Sequence, residues 1–244
     1  MALQLEQFVE DLKEAHGGNL FSVVLYGSGG KSNGGLSSAP ETKGGHRLLV
    51  VLNRIAPADL KRVRSLIQKW NAGGNPIPVY FTHEEIDDAA DVFPIEFIDM
   101  SEARRVLAGK DPFAALTVPS HNLRHQVEYE LRSKLIRLRA LYLPASSKPD
   151  RLARLMVDSL DSFAGLLRHV IKLIGGGELP SDGTESIKRL SQILDLDESV
   201  FGRIHQYAAE EGLLLEMETE ETFARYIVQI EKIVEAVDKL PDQN

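Results

Sequence analysis

One segment of the chain combines residue types that can bind phosphate. It runs from Gly27 to Gly44, and six of its 18 residues are glycine. Glycine has no side chain, so backbone N–H groups beside it can approach an anion closely, and the Ser28 hydroxyl adds a further donor. A stretch of this length without apolar periodicity is usually functional or disordered. The segment is therefore the first place to look for a site.

Part of this segment matches a nucleotide-binding motif. Gly29-Gly30-Lys31-Ser32 resembles the end of the phosphate-binding loop G-x-x-x-x-G-K-[ST]. The motif also needs a glycine five residues before Gly30, and this chain has Leu25 there. The following apolar run offers no metal-binding aspartate. The match is therefore a fragment, and we favour another kind of phosphate site.

Two apolar runs flank the glycine-rich segment. Phe21–Tyr26 is rich in β-branched and aromatic residues, and His46–Leu52 is dense in aliphatic residues. Both compositions predict strands, and the second is apolar enough to be a buried central strand. The predicted order is thus strand, glycine-rich loop, strand.

That order resembles the nucleotidyltransferase superfamily, which includes DNA polymerase beta and the aminoglycoside nucleotidyltransferases. The matching signature is Val24-Leu25-Tyr26-Gly27-Ser28. The resemblance extends to a bacterial group of nucleotidyltransferase-like proteins through Asp91–Phe97, Arg105–Gly109, Leu123–Gln126 and Glu130–Leu135. It implies a mixed-sheet α/β domain followed by helices, with a nucleotide bound at the Gly-Ser turn.

The chain departs from the family at the metal site. The family carries Asp-x-Asp on the second strand, where carboxylates at i and i+2 share a face and hold divalent metals. The matching positions here are Gly45 and Arg47, and neither side chain can ligate magnesium. Glu96 is the remaining candidate for the family's third acid, because Asp99 falls on the opposite face of the predicted strand. One carboxylate is a poor site for a hard dication, so conventional two-metal catalysis is not expected.

The leading hypothesis is a nucleotidyltransferase-like protein with an impaired metal site and little or no catalysis. Gly27, Ser28, Lys31 and Arg47 would bind a nucleotide or phosphate ligand through direct, charge-assisted hydrogen bonds. The structural alternative is a surface loop beside an arginine that caps a strand or pairs with an acid.

Two other functions stay open. In an active enzyme, a nucleoside monophosphate would pass from a nucleoside triphosphate to a small molecule or protein, with Glu96 as the catalytic residue that contributes to a metal site. Its Mg²⁺ site would need further ligands, for which Glu128 and Glu130 are candidates. In an interaction module, the helical half would hold a partner or a second copy of the chain.

Two further patterns are weaker. His121 and His125 share a face of a predicted helix, but H-E-x-x-H requires glutamate where Asn122 stands, which favours a solvated face. Eight Lys/Arg and three Asp/Glu lie between Arg104 and Arg139, giving this segment a charge of +5. Most of these charges are expected on solvated helix faces, some in i, i+4 pairs such as Glu128 with Arg132 and Glu130 with Lys134.

Apolar periodicity and Gly/Pro breaks predict an α/β domain over 1–118 and an all-α helical bundle over 119–244. The predicted helices are 2–16, one from Pro57 to Gly73, 83–91, 120–143, one from about Asp150 to Ile174, 183–194, 197–211 and 218–240. The predicted strands are 21–26, 46–52, 76–82 and 92–100.

Composition limits the partners. The formal net charge of −8 and pI near 5.4 argue against nucleic acid as a partner. The chain has no cysteine, which excludes disulfides and thiolate chemistry. No apolar run approaches the roughly 18 residues of a membrane helix, and the first residues lack a signal-peptide pattern. We expect a cytoplasmic protein that does not bind membranes, and a homodimer stays open.

Overall fold

The computed structural model describes residues 4–27, 45–175, 177, 179–180, 182–209 and 216–241. A mixed sheet lies in the first of its two units. The units are Met1–Pro119 and Ser120–Asn244, one residue from the predicted boundary. The strands are β1 (Leu20–Tyr26), β2 (Arg47–Leu52), β3 (Val79–Thr82) and β4 (Arg104–Gly109), in the order β3-β2-β1-β4. β1 is antiparallel to β2 and β4, and β2 is parallel to β3. The predicted mixed sheet is confirmed, and this unit is α+β.

Both faces of the sheet are covered. The helices are α1 (Leu5–His16), α2 (Pro57–Arg62), α3 (Arg64–Ala72), α4 (His83–Asp88) and α5 (Pro94–Glu102). On one face Phe8 and Trp70 stack with ring centroids 4.1 Å apart and pack with Val23 and Val50. On the other, aromatic and aliphatic residues from β1, β2, β3 and α5 form a second core. Alternate residues of β1 and β2 thus enter opposite cores, which explains why both strands are apolar throughout.

One predicted strand is wrong. Residues 92–100 were expected to form the fourth strand, but Pro94–Glu102 is helix α5, and the fourth strand is β4. Proline fits the first turn of a helix because its missing N–H has no intrahelical role there. Phe97 and Met100, three residues apart, then both reach the core. Glu96 accordingly lies on a helix.

The predicted helix after Pro57 is divided in two. Val63 has φ −95° and ψ 2°, which interrupts the helix between α2 and α3. Val63 and Trp70 are buried, whereas Leu60 is 43% exposed.

The described elements of the second unit are all helical, as predicted. They are α6 (Ser120–Ala145), α7 (Pro149–Leu173), α8 (Gly183–Leu194), α9 (Glu198–Ala209) and α10 (Glu216–Asp238). α7 contacts each of the other four. Its buried residues recur at spacings of three and four, so its apolar stripe is wide enough to serve several neighbours. Among the described helices, none has the length and apolarity needed to cross a membrane.

Candidate functional site

β1 is followed by Gly27, whose backbone conformation only glycine adopts without strain. Gly27 has φ +74°, and its N–H donates to the carbonyl of Ala103 at 2.9 Å. A side chain at this φ would be strained. The predicted partners Ser28 and Lys31 lie outside the described residues. The described part of the candidate site is therefore Gly27 and the strand ends around it.

Three side chains form a row across the sheet beside this turn. Tyr26 on β1 is the register partner of Arg47 on β2 and of Arg104 on β4. Residues directly opposite each other on antiparallel strands share a face, so both arginines lie on the face of Tyr26. Burial raises the pKa of the Tyr26 phenol, and the positive charge of Arg47 lowers it in part. The phenol therefore stays neutral between two cations.

Arg104 is fully engaged within its own unit. Its Nε donates to both carboxylate oxygens of Asp111 at 3.1 Å, and its Nη2 donates to Oδ2 at 2.8 Å. Its Nη1 donates to the Ser101 carbonyl, and its guanidinium carbon lies 5.9 Å from the centroid of the Phe113 ring. The hydrogen bond from Arg104 is the main reason that the pKa of Asp111 is lowered. Arg104 is thus neutralised by a local acid.

Arg47 differs from Arg104. Its side chain has no hydrogen bond or ion pair with any other residue in the part of the chain that the structure describes. It is half-buried, and its Cδ lies 3.8 Å from where a Cβ on Gly27 would stand. A guanidinium carries five N–H donors in a rigid fork that matches phosphate and carboxylate oxygens. The strand ends therefore place a cation beside the glycine turn.

Position 45 has no room for a side chain. A Cβ on Gly45 would lie 2.7 Å from Cδ of Pro76 and 2.9 Å from the carbonyl oxygen of Gly74. The same loop accepts a hydrogen bond at its Asn75 Oδ1 from the His46 N–H at 3.0 Å. Packing against this loop, as well as residue identity, thus excludes a carboxylate at position 45.

Glu96 lies on α5, which covers the sheet face that carries Arg47. Phe97 and Met100 of the same helix share a core cluster with Tyr26, the register partner of Arg47. Glu96 itself is 8% exposed. Glu96 was predicted on a strand, and the structure places it on a helix instead. Its catalytic role stays a prediction.

The other acids and histidines considered as ligands lie in the second unit. Glu128 accepts hydrogen bonds from Arg124 at 3.2 Å and from Arg132 at 2.8 Å, and the second of these is a predicted i, i+4 pair. His121 and His125 are both exposed on α6. Among the described residues, no group of three histidine or acidic side chains is arranged to hold a metal ion.

Sequence reasoning found Gly27 and Arg47, which the structure brings together, and missed Tyr26 and Arg104. Tyr26 was counted only as part of an apolar strand, and Arg104 stood outside every predicted strand. The register of β1 against β4 aligns these residues, and no local sequence signal records a register between strands 80 residues apart. The only sequence feature that indicated Arg104 was the positive charge of the segment from Arg104 to Arg139.

No protein-family model matches the chain, and no curated protein matches it.

Proposed function

We propose that this protein binds a nucleotide or another phosphate ligand at the turn after β1, with Arg47 in place of a metal ion and with little or no catalysis. The observation that carries the proposal is the position of Arg47. It stands beside the Gly27 turn, and no acid in the described part of the chain neutralises it. The resemblance to nucleotidyltransferases and a cytoplasmic location belong to the same proposal.

The expected contribution of Arg47 follows from its chemistry. A hydrogen bond to a charged group contributes about 1.5–3 kcal/mol, which corresponds to roughly a ten- to hundredfold change in affinity. Arg47 is half-buried, so less side-chain entropy is lost on binding than for a fully exposed arginine. Loss of the guanidinium should therefore weaken phosphate binding by about that factor.

The test is a calorimetric titration of ATP and GTP into the wild-type chain and Arg47→Ala, with inorganic tripolyphosphate as a ligand that has no base. Arg64→Ala is the matched control, because Arg64 is exposed on α3 of the same unit. Circular dichroism checks that all variants fold. We expect weakening in Arg47→Ala alone. Equal affinity in wild type and Arg47→Ala would contradict the proposal, and Mg²⁺-dependent release of pyrophosphate would favour the active enzyme.

A second candidate is self-association through α6. Tyr129, Ile136 and Leu143 recur every seven residues and are 70%, 64% and 75% exposed. A seven-residue repeat is the spacing that two helices bury against each other, and the small residues Ser133 and Ala140 fall between these three on the same stripe. The partner would be a second copy of the chain. Sedimentation equilibrium should show a dimer that Ile136→Ser dissociates, and a monomeric wild type would exclude this function.

A further inference from the structure

A mixed polar and apolar cavity lies between α6 and α7 of the second unit. Its volume is about 280 Å³. The α6 side contributes residues at i, i+3, i+4 and i+7, which share one helix face: Lys134, Arg137, Leu138 and Leu141. The α7 side contributes residues with the same periodicity: Leu155, Asp158, Ser159, Ser162 and Phe163. Two continuous helix faces thus line the cavity.

The cavity has a polar end and an apolar end. At one end, Lys134 Nζ donates to Ser162 Oγ at 2.7 Å. Three residues connect α6 to α7, so the two helices form an antiparallel hairpin. Moving two turns along α6 from Lys134 therefore corresponds to moving two turns back along α7 from Ser162. This brings Leu141 opposite Leu155 at the far end, where the lining is apolar.

The polar end has an excess of positive charge. Burial lowers the pKa of Lys134, the carboxylate of Glu130 raises it, and the nearby Arg137 lowers it further. Arg137 is exposed, and no hydrogen bond or ion pair to another described residue engages it. Asp158 is the one acid of the lining and is also exposed. The lining itself thus holds two cations and one anion, and Glu130, which is not part of the lining, is a further acid that acts on Lys134.

Burial of Lys134 carries a cost that an anion would relieve. The partly desolvated ammonium of Lys134 has a hydroxyl as its hydrogen-bond partner, and the charge of Glu130 acts on it without a hydrogen bond between the two side chains. Its three N–H donors also exceed what one serine oxygen can accept. A carboxylate at this position would supply both the charge and the missing acceptors.

We propose that this cavity binds a small organic carboxylate with an unbranched apolar tail. The carboxylate accepts hydrogen bonds from Lys134 and Arg137 and lies beside the hydroxyl of Ser162. The tail lies along Leu138 and extends toward Leu155. A cavity of this volume stands just below the usual range of ligand pockets, roughly 300–1,000 Å³, which limits the ligand to a short chain. All lining residues belong to the second unit, and the proposal does not depend on the function proposed for Gly27 and Arg47.

The test uses octanoate as the probe, titrated calorimetrically into the full chain, with octylammonium as the probe of opposite charge. Lys134→Met removes the cation but keeps an unbranched side chain of similar length. Lys188→Met is the matched control, because Lys188 is exposed on α8 and does not line the cavity. We expect octanoate to bind wild type and Lys188→Met equally, and Lys134→Met at least tenfold more weakly. No octanoate binding at millimolar concentration, equal binding of octylammonium, or equal loss in both variants would each overturn the proposal.

A second measurement needs no variant at position 134. Octanoate should slow the acylation of Lys134 in the wild-type chain and leave Lys188 unaffected, as peptide mass spectrometry would show. Octanoate should also bind Arg47→Ala as it binds wild type, so failure of the phosphate site leaves this proposal intact. Protection that is absent, or equal at all lysines, would overturn the carboxylate site.

Discussion

Adding a single methyl group at Gly45 tests whether backbone packing excludes an acid at that position. In Gly45→Ala the new Cβ would meet Pro76 Cδ at 2.7 Å and the Gly74 carbonyl at 2.9 Å, so the loop must move. Overpacking of this kind costs roughly 1–3 kcal/mol. Moving the loop also weakens the His46 N–H to Asn75 hydrogen bond, at about 1 kcal/mol. The lower entropy of the unfolded alanine chain offsets about 0.5 kcal/mol, which leaves a destabilisation of about 1.5–3.5 kcal/mol.

The assay uses the only tryptophan of the chain. Trp70 is fully buried in the first unit, and its Nε1–H donates to the Pro76 carbonyl at 3.0 Å, so its fluorescence reports the loop and unit concerned. Urea unfolding followed by this signal gives the free energy of unfolding of that unit. Gly18→Ala is the control, because nothing lies within 4 Å of its added Cβ, and it should be neutral or slightly stabilising. If Gly45→Ala is as stable as Gly18→Ala, the packing argument is refuted.

Two further predictions concern the stability of the first unit. Burial lowers the pKa of His16, which is 4% exposed, against the opposing effect of Asp59. Because the unfolded chain then binds the proton more readily, the stability of the unit should fall as the pH drops below about 6.5. His16→Leu should flatten this pH dependence, and the control His83→Gln should keep it. An unchanged slope in His16→Leu would assign the dependence to other groups. Thr82→Ala removes the side-chain cap of α4, in which Thr82 Oγ1 accepts from the Glu85 N–H at 3.1 Å and the Thr82 N–H donates to the Glu85 carboxylate at 2.7 Å. The free energy of unfolding should fall by about 1 kcal/mol in the same urea assay. An unchanged midpoint would show that this cap does not stabilise the unit.

Most of the fold follows from the local spacing of apolar residues, and the wrong predictions arise where that spacing is ambiguous. β1, β2 and the long helices of the second unit each have a continuous apolar signal. Residues 92–100 do not, because nine residues with apolar positions at mixed spacing suit either a strand or a short helix. This segment forms a helix because Phe97 and Met100, which are three residues apart, both contact the second core. β4 was missed because its first two residues, Arg104 and Arg105, are exposed at the edge of the sheet.

The candidate site was only partly readable from the sequence. The likeness of Val24–Ser28 to a known signature singled out Gly27. Arg47 was singled out because it stands just before Leu48–Val51, where the resembled signature has the second acid of Asp-x-Asp. The neutralisation of Arg104 by Asp111 depends on the register of β4 and on the turn after it, which no spacing in the sequence records. The clash that excludes a side chain at Gly45 likewise depends on a loop 29 residues away.

The dependence of ATP affinity on magnesium tests the central claim most directly. We propose that a guanidinium replaces the metal ion, so the dissociation constant of ATP measured by calorimetry should be similar in excess chelator and in millimolar MgCl₂. Magnesium shields the phosphates, so a modest weakening in MgCl₂ is also consistent. ATP binding that requires magnesium, or that becomes at least tenfold tighter in its presence, would contradict the account. It would indicate that a metal ion takes part in ATP binding.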